Sequence, residues 1–228
     1  MSYLVLVRHG ESQWNKKQIF TGWADVSLTG QGIEKVQLLA KKLQDIQFDI
    51  MFTSRLERAR TTLLMIAAEQ ERTAIFIHGR KEYNAIFDDK ENVPVFSSRN
   101  LNERYYGLLQ GMKKDYARDK FGEEQVYQWR RSYAVRPPKG ESLEDVYERV
   151  VPYFRDKIIP ALEDGKNILI SAHGNSLRAL IKYIDNISDD DIVNLNLAPG
   201  DAIIYKMRDK KLTKELGEHV FTRPMEWH

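Results

Sequence analysis

The chain has 228 residues, 42% hydrophobic and 30% charged, with a formal net charge of +2. This composition fits a soluble globular enzyme and excludes a disordered or fibrous chain, while a charge so near zero argues against nucleic acid or an anionic membrane as partner, so any positive field must come from local clustering. There is no cysteine, which excludes disulfide and thiolate chemistry.

No apolar run is long enough to span a bilayer, and the N-terminus enters a strand with no charged leader. The expectation is a cytoplasmic protein forming one domain over residues 1–228. The first strand runs from about Tyr3 to Arg8, an apolar stretch that reads as buried. A polar and aromatic segment, 13–25, follows. Thr29 reads as the N-cap of a helix whose inner face carries Ile33, Val36, Ala40 and Leu43. A second strand is expected over Asp49–Thr53. A helix over about 55–69 follows, offering Leu56, Leu63, Met65 and Ile66 for burial. A third strand is expected over Ala74–His78.

Residues 79–100 decay into charge, Asn and one Pro, and read as a surface excursion. Residues 101–133 are helical in parts and dense in Arg, Lys and Tyr. Lacking strands, they read as a helical cap over one edge, so that the cap or insertion region spans about 79–140. Ser142 opens a capping box for a helix to about Glu163, kinked before Pro152 and stopped by Gly165. Asn167–Ser171 is a strand, Ala172-His-Gly-Asn a turn, Ser176–Ile184 a helix and Ala202–Lys206 the last strand. The strand–helix rhythm predicts an α/β fold, a mostly parallel sheet with helices on both faces.

Two segments share one grammar. Leu4–Val7 is followed by Arg8-His9-Gly10, and Ile168–Ser171 by Ala172-His173-Gly174-Asn175. Side chains just past the carboxyl end of a strand line the ligand crevice of such a sheet. If the two strands are neighbours, both imidazoles enter one crevice. Each following glycine lets the backbone approach a ligand closely. Arg8 indicates an anionic ligand, because its fork of donors matches phosphate. Of Arg55, Arg58 and Arg60, helical spacing puts the first two on one side and Arg60 elsewhere; one of the three is expected in the pocket. Asn15, Thr21 and Gly22 lie on the first loop with donors for phosphate oxygens. Arg130 and Arg131 form a second basic pair. On spacing alone, Glu103 does not stand out from the other acids.

These pieces suit phosphoryl transfer through a histidine. A neutral imidazole is nucleophilic and splits one hard step into two. Fixed positive donors then stabilise the charge on the transferring group, a task that falls to Arg8, Arg60 and His173 without a metal. No Asp/Glu/His cluster looks like a divalent site, and no Gly-x-x-x-x-Gly-Lys loop is present.

With those residues in view, the chain resembles the histidine phosphatase superfamily, and within it the 2,3-bisphosphoglycerate-dependent phosphoglycerate mutases. The likeness rests on Leu-Val-Arg-His-Gly-Glu-Ser-Gln-Trp-Asn (6–15), Phe-Thr-Gly-Trp (20–23), Thr-Ser-Arg-Leu-Glu-Arg-Ala-Arg-Thr-Thr (53–62), Leu-Asn-Glu-Arg-Tyr-Tyr-Gly-Leu-Leu-Gln-Gly (101–111), Trp-Arg-Arg-Ser-Tyr (129–133), Pro-Pro-Lys-Gly-Glu-Ser (137–142) and Ala-His-Gly-Asn-Ser-Leu-Arg-Ala-Leu (172–180). Arg-His-Gly signals only the superfamily; Leu-Asn-Glu-Arg followed by Trp-Arg-Arg-Ser points to the mutase branch. The resemblance implies His9 as the phosphorylated nucleophile, with Arg8, Arg60, His173 and Asn15 around the transferring group and Glu103 as general acid and base. It implies Thr21, Gly22, Tyr106, Lys114, Arg130, Arg131, Gly174 and Asn175 as substrate-binding residues.

The implied reaction interconverts 3- and 2-phosphoglycerate in glycolysis and gluconeogenesis, with 2,3-bisphosphoglycerate as intermediate and primer and with no metal. Many relatives are homo-oligomers, and by analogy the same is the expectation here. Residues 79–100 read as an insertion relative to the commonest members. The tail after Leu212 is short, and a weak lid there would shift the balance from mutase toward phosphatase. The alternatives are a phosphatase of small phosphorylated metabolites on the same scaffold and a phosphate-binding module without catalysis.

Overall fold

A computed structural model describes residues 1–77, 90–216 and 220–221. The elements are β1 (Ser2–Arg8), α1 (Gln13–Lys16), α2 (Gly30–Lys42), β2 (Ile50–Thr53), α3 (Glu57–Ala67), β3 (Thr73–Ile77), β4 (Asn92–Ser97), α4 (Lys114–Phe121), α5 (Glu123–Arg131), α6 (Leu143–Tyr153), α7 (Ile159–Glu163), β5 (Ile168–Ala172), α8 (Gly174–Asp185), β6 (Leu195–Asn196), β7 (Ala202–Arg208), β8 (Lys211–Leu216) and β9 (Val220–Phe221). Seven strands form one sheet in the order β3-β4-β2-β5-β1-β7-β8. The first five run parallel, and β7 and β8 add an antiparallel edge. This is the mostly parallel α/β sheet that the sequence predicts.

Side chains alternate across a strand, and β1 uses both faces. Leu4 and Leu6 join a core with Ile168, Ile170, Val146, Val150, Leu177 and Ile181, from β5, α6 and α8. Val5 and Val7 join a second core with Val36, Ala40, Leu63 and Ile66, from α2 and α3. Burial on both faces is why the strand reads as a continuous apolar run rather than an alternation. A third, smaller core of Phe20, Leu109, Ala117, Val126 and Trp129 holds α4 and α5 together.

The predicted caps are present. Thr29 Oγ accepts from the Gly32 N–H at 2.9 Å, and Ser142 and Asp145 form a reciprocal capping box. Ile33 is a correction: the inner face of α2 runs through Gly32, Val36 and Ala40, and Ile33, about 100° further round, is exposed. The irregularity expected before Pro152 falls after it instead, as a π-helical turn over Phe154–Ile158 between α6 and α7. Pro160 has no N–H for the carbonyl four residues back, and the widened turn ends just ahead of it.

The surface excursion expected over 79–100 is also corrected in part. Residues 78–89 lie outside the described residues, but Asn92–Ser97 is a strand inside the sheet, between β3 and β2. Pro94 masks it. That residue stands before the first β4–β2 pair, Val95 with Met51, so pairing with β2 begins only past the missing N–H. Nor is Ala202–Lys206 the last strand. A two-residue turn at Asp209 and Lys210, both with positive φ, returns the chain as β8; such turns match the twist of a hairpin. The expectation about the tail concerns residues that, past Leu216, lie almost entirely outside the described ones.

The sheet places the histidines. β1 and β5 pair in parallel with Arg8 opposite Ala172, and the His9 N–H donates to the Ala172 carbonyl at 3.0 Å. The Gly200 N–H reaches the carbonyls of both Arg8 and His9 at 3.0 Å. Thr62 Oγ accepts from the Gly10 N–H at 3.1 Å. The loop then lies directly on α2: a Cβ at Gly32 would stand 2.3 Å from the Glu11 carbonyl oxygen and 2.8 Å from its nitrogen. Both are backbone atoms and cannot rotate away. Gly32→Ala is therefore expected to destabilise the protein by about 1–3 kcal/mol, as overpacking does. Gly30→Ala, where a Cβ meets nothing within 4 Å, should change stability by at most about 0.5 kcal/mol. Urea unfolding of the two variants checks this; equal midpoints would refute the close approach.

Candidate active site

A cavity of about 140 Å³ opens where β1 and β5 end, lined by Arg8, His9, Asn15, Thr21, Gly22, Arg58, Glu103, Tyr106, Lys114, Arg130, Arg131, Gly174, Asn175 and Arg178, among others. The His173 ring stands against that of His9, with centroids 5.0 Å apart and planes tilted by 58°. All but one of the residues expected at the site are thus brought together. The exception is Arg60, which is exposed, with its guanidinium 4.9 Å over the Phe76 ring on β3. Its place is taken by Arg58, 1% exposed. The helical period explains the exchange. The buried residues of α3 are Arg58, Ala59, Thr62, Leu63, Ile66 and Ala67, a stripe stepping by three and four that includes position 58 and misses 60.

Hydrogen bonds assign the His9 tautomer. Its Nδ1 lies 2.7 Å from the Gly10 carbonyl, which can only accept, so Nδ1 carries the proton. Arg58 Nε–H points at His9 Nε2 from 3.4 Å, the contact expected of a nitrogen that presents its lone pair. His173 Nε2 lies 2.7 Å from Ser54 Oγ, whose oxygen already accepts from the Leu56 N–H. The arrangement that leaves no hydroxyl proton idle has Ser54 donating to Nε2, which puts the ring proton on Nδ1. That Nδ1 is buried and has no partner among the described residues.

Burial first, then the Arg58 guanidinium, hold both imidazoles well below the ordinary histidine pKa; Arg8 adds to the effect on each. Both rings are therefore neutral near pH 7.

The electrostatics of the cavity are one-sided. Arg8, Arg58, Lys114, Arg130, Arg131 and Arg178 line it against a single carboxylate among the described residues, Glu103. The buried guanidiniums are anchored mainly on backbone carbonyls: Arg8 on Leu197, Arg58 on Gly22 and Ala24 at 2.9 Å each, and Arg178 on Ile192 at 2.6 Å. Behind the lining, Arg104 does the same on Arg130 at 2.9 Å. These bonds satisfy donors without cancelling charge. Nε of Arg8, Arg104 and Arg178, and Nη1 of Arg104, remain buried and unpartnered among the described residues. Burial, then Arg130, Arg8 and Arg131, push Lys114 down to about 8. Such a cluster fits an occupant with more than one anionic group.

Glu103 is fixed from two sides. Its Oε1 accepts from the Arg104 N–H at 2.8 Å, the Asn175 N–H at 3.1 Å and Asn175 Nδ2 at 2.9 Å. Asn175 is in turn oriented by Arg178, which donates to its Oδ1 at 3.0 Å. Sequence reasoning missed Arg178 and Ser54. Arg178 was within reach, three residues past Asn175 on the same helix face. Ser54 carries no signal of its own, since its role depends on which histidine packs above it. Among the described residues no group of three or more His, Cys, Asp or Glu stands together to hold a metal, and no helix is long and apolar enough to cross a membrane.

The sequence profile of the histidine phosphatase superfamily (branch 1) matches residues 4–85 and 80–216. Solved structures with this fold include a mycobacterial glucosyl-3-phosphoglycerate phosphatase (TM-score 0.77, 19% identity, 96% of this chain and 100% of that one). Another is a putative α-ribazole-5'-P phosphatase from Escherichia coli (TM-score 0.73, 22% identity, 95% and 96%). At such identities the likeness concerns the fold alone.

Nearer in sequence are proteins named 2,3-bisphosphoglycerate-dependent phosphoglycerate mutase. The one from Methanosarcina acetivorans is 45% identical over 96% of each chain. That from Staphylococcus epidermidis is 43% identical over 94% of this chain and 98% of its own. A third, from Arabidopsis thaliana, is 41% identical over 96% of this chain and 71% of its own. The chain belongs to the histidine phosphatase superfamily and, within it, to the family of 2,3-bisphosphoglycerate-dependent phosphoglycerate mutases.

The lowered Lys114 pKa gives a measurable consequence. An anion in the cavity offsets the neighbouring cations and raises that pKa, so binding at pH 8 draws a proton onto Lys114. Sulfate does not titrate there and isolates the effect. Calorimetry in buffers of different ionisation enthalpy should show a fractional proton uptake at pH 8, absent in Lys114→Arg, and sulfate affinity should fall as the pH rises above 8. Binding with no uptake would contradict the assignment.

Proposed function

We propose that this chain interconverts 3-phosphoglycerate and 2-phosphoglycerate through a phosphohistidine at His9 and a 2,3-bisphosphoglycerate intermediate, a step of glycolysis and gluconeogenesis. The observation that carries the reading is the His9 ring. Its Nε2 lone pair faces Arg58 and neighbours His173, inside a cavity lined by six cations.

His9 Nε2 attacks phosphorus. The N–P bond forms as the P–O bond of the donor breaks, and Glu103 delivers a proton to the departing oxygen. The positive charge that develops on the ring is held by the Nδ1–H bond to the Gly10 carbonyl. Arg58 Nε–H, already aimed at Nε2, is in place to bond the phosphoryl oxygens. Arg8 Nε and His173 Nδ1–H, both without a partner among the described residues, supply further donors. In the return half-reaction Glu103 takes the proton of the attacking hydroxyl, the P–O bond forms and the P–N bond breaks. Lys114, Arg130, Arg131, Tyr106 and the Thr21–Gly22 turn hold the carboxylate and the phosphate that is not reacting, and Asn15 stands beside the transferring group.

The unpartnered donors and the crowding at Lys114 fit 2,3-bisphosphoglycerate, and the same residues would hold it. Its contribution is the phosphoryl group that primes an unphosphorylated His9. No residue of the mechanism calls for a metal.

Incubation with 2,3-bisphosphoglycerate should raise the mass of the protein by one phosphoryl group, located on His9, and His9→Ala should show neither the adduct nor turnover. Release of free phosphate in place of isomerised phosphoglycerate would favour a phosphatase. The two arginines divide the prediction further. Arg58→Ala should lower kcat by about 10²–10³-fold, as loss of a donor to developing charge does. Arg60→Ala should stay within about twofold, as a surface change does. The reverse ranking would restore Arg60 to the site.

A further inference from the structure

Glu103 sits in a segment with little support of its own. Residues 103–106 have no helical or ladder bonds and lie between short 3-10 turns at Arg99–Leu101 and Gly107–Leu109. A backbone of this kind, packed under an active site, needs partners for its carbonyls and N–H groups. The Arg104 N–H turns to the Glu103 carboxylate, and Trp23 Nε1–H donates to the Glu103 carbonyl at 2.6 Å; most of the rest come from one ion pair.

Arg149, on α6, donates Nη1–H to the carbonyls of Asn100 at 2.6 Å and Asn102 at 3.1 Å, and Nη2–H to that of Glu103 at 3.1 Å. The rest of its fork is bidentate with Glu141, Nε to Oε1 and Nη2 to Oε2, both at 2.9 Å. Glu141 completes the frame. Its Oε2 accepts the Tyr105 N–H at 2.8 Å, and its own N–H donates to the Tyr105 carbonyl at 2.8 Å. Both side chains are about four-fifths buried, at 18% and 22% exposed. Every bond of the pair falls on the stretch from Asn100 to Tyr105 or within the pair itself.

We propose that the Arg149–Glu141 pair is the positioning device for Glu103: it fixes the backbone of residues 100–105 so that the carboxylate stands where the reacting oxygen comes. The inference rests on the reading of Glu103 as the proton carrier. The carboxylate end is held by α8 through Asn175, and the backbone end by α6 through Arg149, beside the Trp23 Nε1–H that shares the Glu103 carbonyl. Both helices pack on the same face of the sheet, so the acid is referred to the scaffold that also carries His173. Arginine is required because its planar fork spans three carbonyls and two carboxylate oxygens; an ammonium is a point with three donors. Neither Arg149 nor Glu141 lines the cavity, so their loss should act on proton transfer and leave substrate binding intact.

The test uses the full chain and reads kcat, KM, the Kd for 3-phosphoglycerate by calorimetry, and the thermal midpoint. Arg149→Lys should lower kcat by about 10- to 100-fold, the scale of a misplacement near 1 Å. KM and Kd should stay within about threefold, the pattern of an interaction that matters only in the transition state. Methylguanidinium added to Arg149→Ala should recover part of the lost kcat. Wild-type kcat in Arg149→Lys, or a loss lying in KM and Kd instead, overturns the proposal. If the Arg149 variants do not fold, Glu141→Gln decides: it keeps an acceptor for Tyr105 and removes the charge, and should still lower kcat at constant KM. An unchanged kcat there overturns the proposal equally. Glu103→Gln separates the two levels. If it keeps wild-type kcat, the reading of Glu103 is wrong; if it loses kcat while Arg149→Lys does not, only the positioning role fails.

Discussion

The site depends on the parallel pairing of β1 with β5. Two strands far apart in sequence are set side by side with Arg8 opposite Ala172, so the next residue on each is a histidine at the same height above the sheet. That register brings the rings to a 5.0 Å separation. Once the register is set, the other contributions follow from where the chain must go next. After β1 the loop turns over the N-terminus of α2, at a distance only glycine allows. After β5 the chain enters α8 directly, bringing Asn175 and Arg178 to the same rim. A slip of one residue in this pairing would send the apolar side chains of β1 to the wrong faces. The two cores that cover the sheet therefore guard the geometry of the site as well as the stability of the fold.

The second constraint is electrostatic. On the proposed reading of His9 as nucleophile, its ring must present a lone pair, and burial and the guanidinium beside it keep it neutral. The same cations must still carry net charge when the substrate arrives. Pairing them with carboxylates would satisfy their donors and erase the field. The structure satisfies many of those donors with carbonyl oxygens, of Gly22, Ala24, Leu197, Ile192 and Arg130. A carbonyl dipole meets the hydrogen-bonding requirement of a buried charge without neutralising it. The crowding that remains is visible in the lowered pKa values of Arg8, Arg58, Lys114 and Arg178, for each of which burial is the largest cause.

Much of this was legible in the chain, for physical reasons that differ by residue. His9 and His173 announce themselves because a strand, a histidine and a glycine recur as a unit, and a parallel sheet gives such units one place to meet. Glu103 does not, because it lies on irregular backbone whose position is set by Arg149, 46 residues further on, and no local pattern encodes that contact. It was selected by resemblance. The same resemblance selected Arg60, where the period of α3 selects Arg58: Leu63 and Ile66 mark the buried stripe, and stepping back by four from Ile66 lands on 62, and by four or five from Leu63 on 59 or 58. Strand β4 was hidden by Pro94, a residue that argues against a central strand until the shortness of its neighbour β2 is known. Strand β8 was hidden by a turn made of Asp and Lys instead of the Asn-Gly or Asp-Gly that usually marks a hairpin.

Anchoring cations on carbonyls also bears on what the cavity accepts. Its donors on Arg8, Arg178 and His173 that have no partner among the described residues are buried. A buried donor left unpaired costs about 1–3 kcal/mol, more when charged. An occupant with two anionic groups answers several of these donors at once. A neutral analogue of the same size answers none of the charge and displaces the water that would otherwise solvate it. Discrimination of this sort does not come from fit to an apolar surface, where one methylene is worth only about 1–3 kcal/mol. It comes from the expense of leaving polar groups unsatisfied. A cavity of about 140 Å³ adds a limit on size, and the ring of uncancelled guanidiniums sets the charge. Under the proposed mechanism, the selectivity of the pocket for a small, multiply charged anion and the stabilisation of a transferring phosphoryl group thus rest on one arrangement of backbone oxygens.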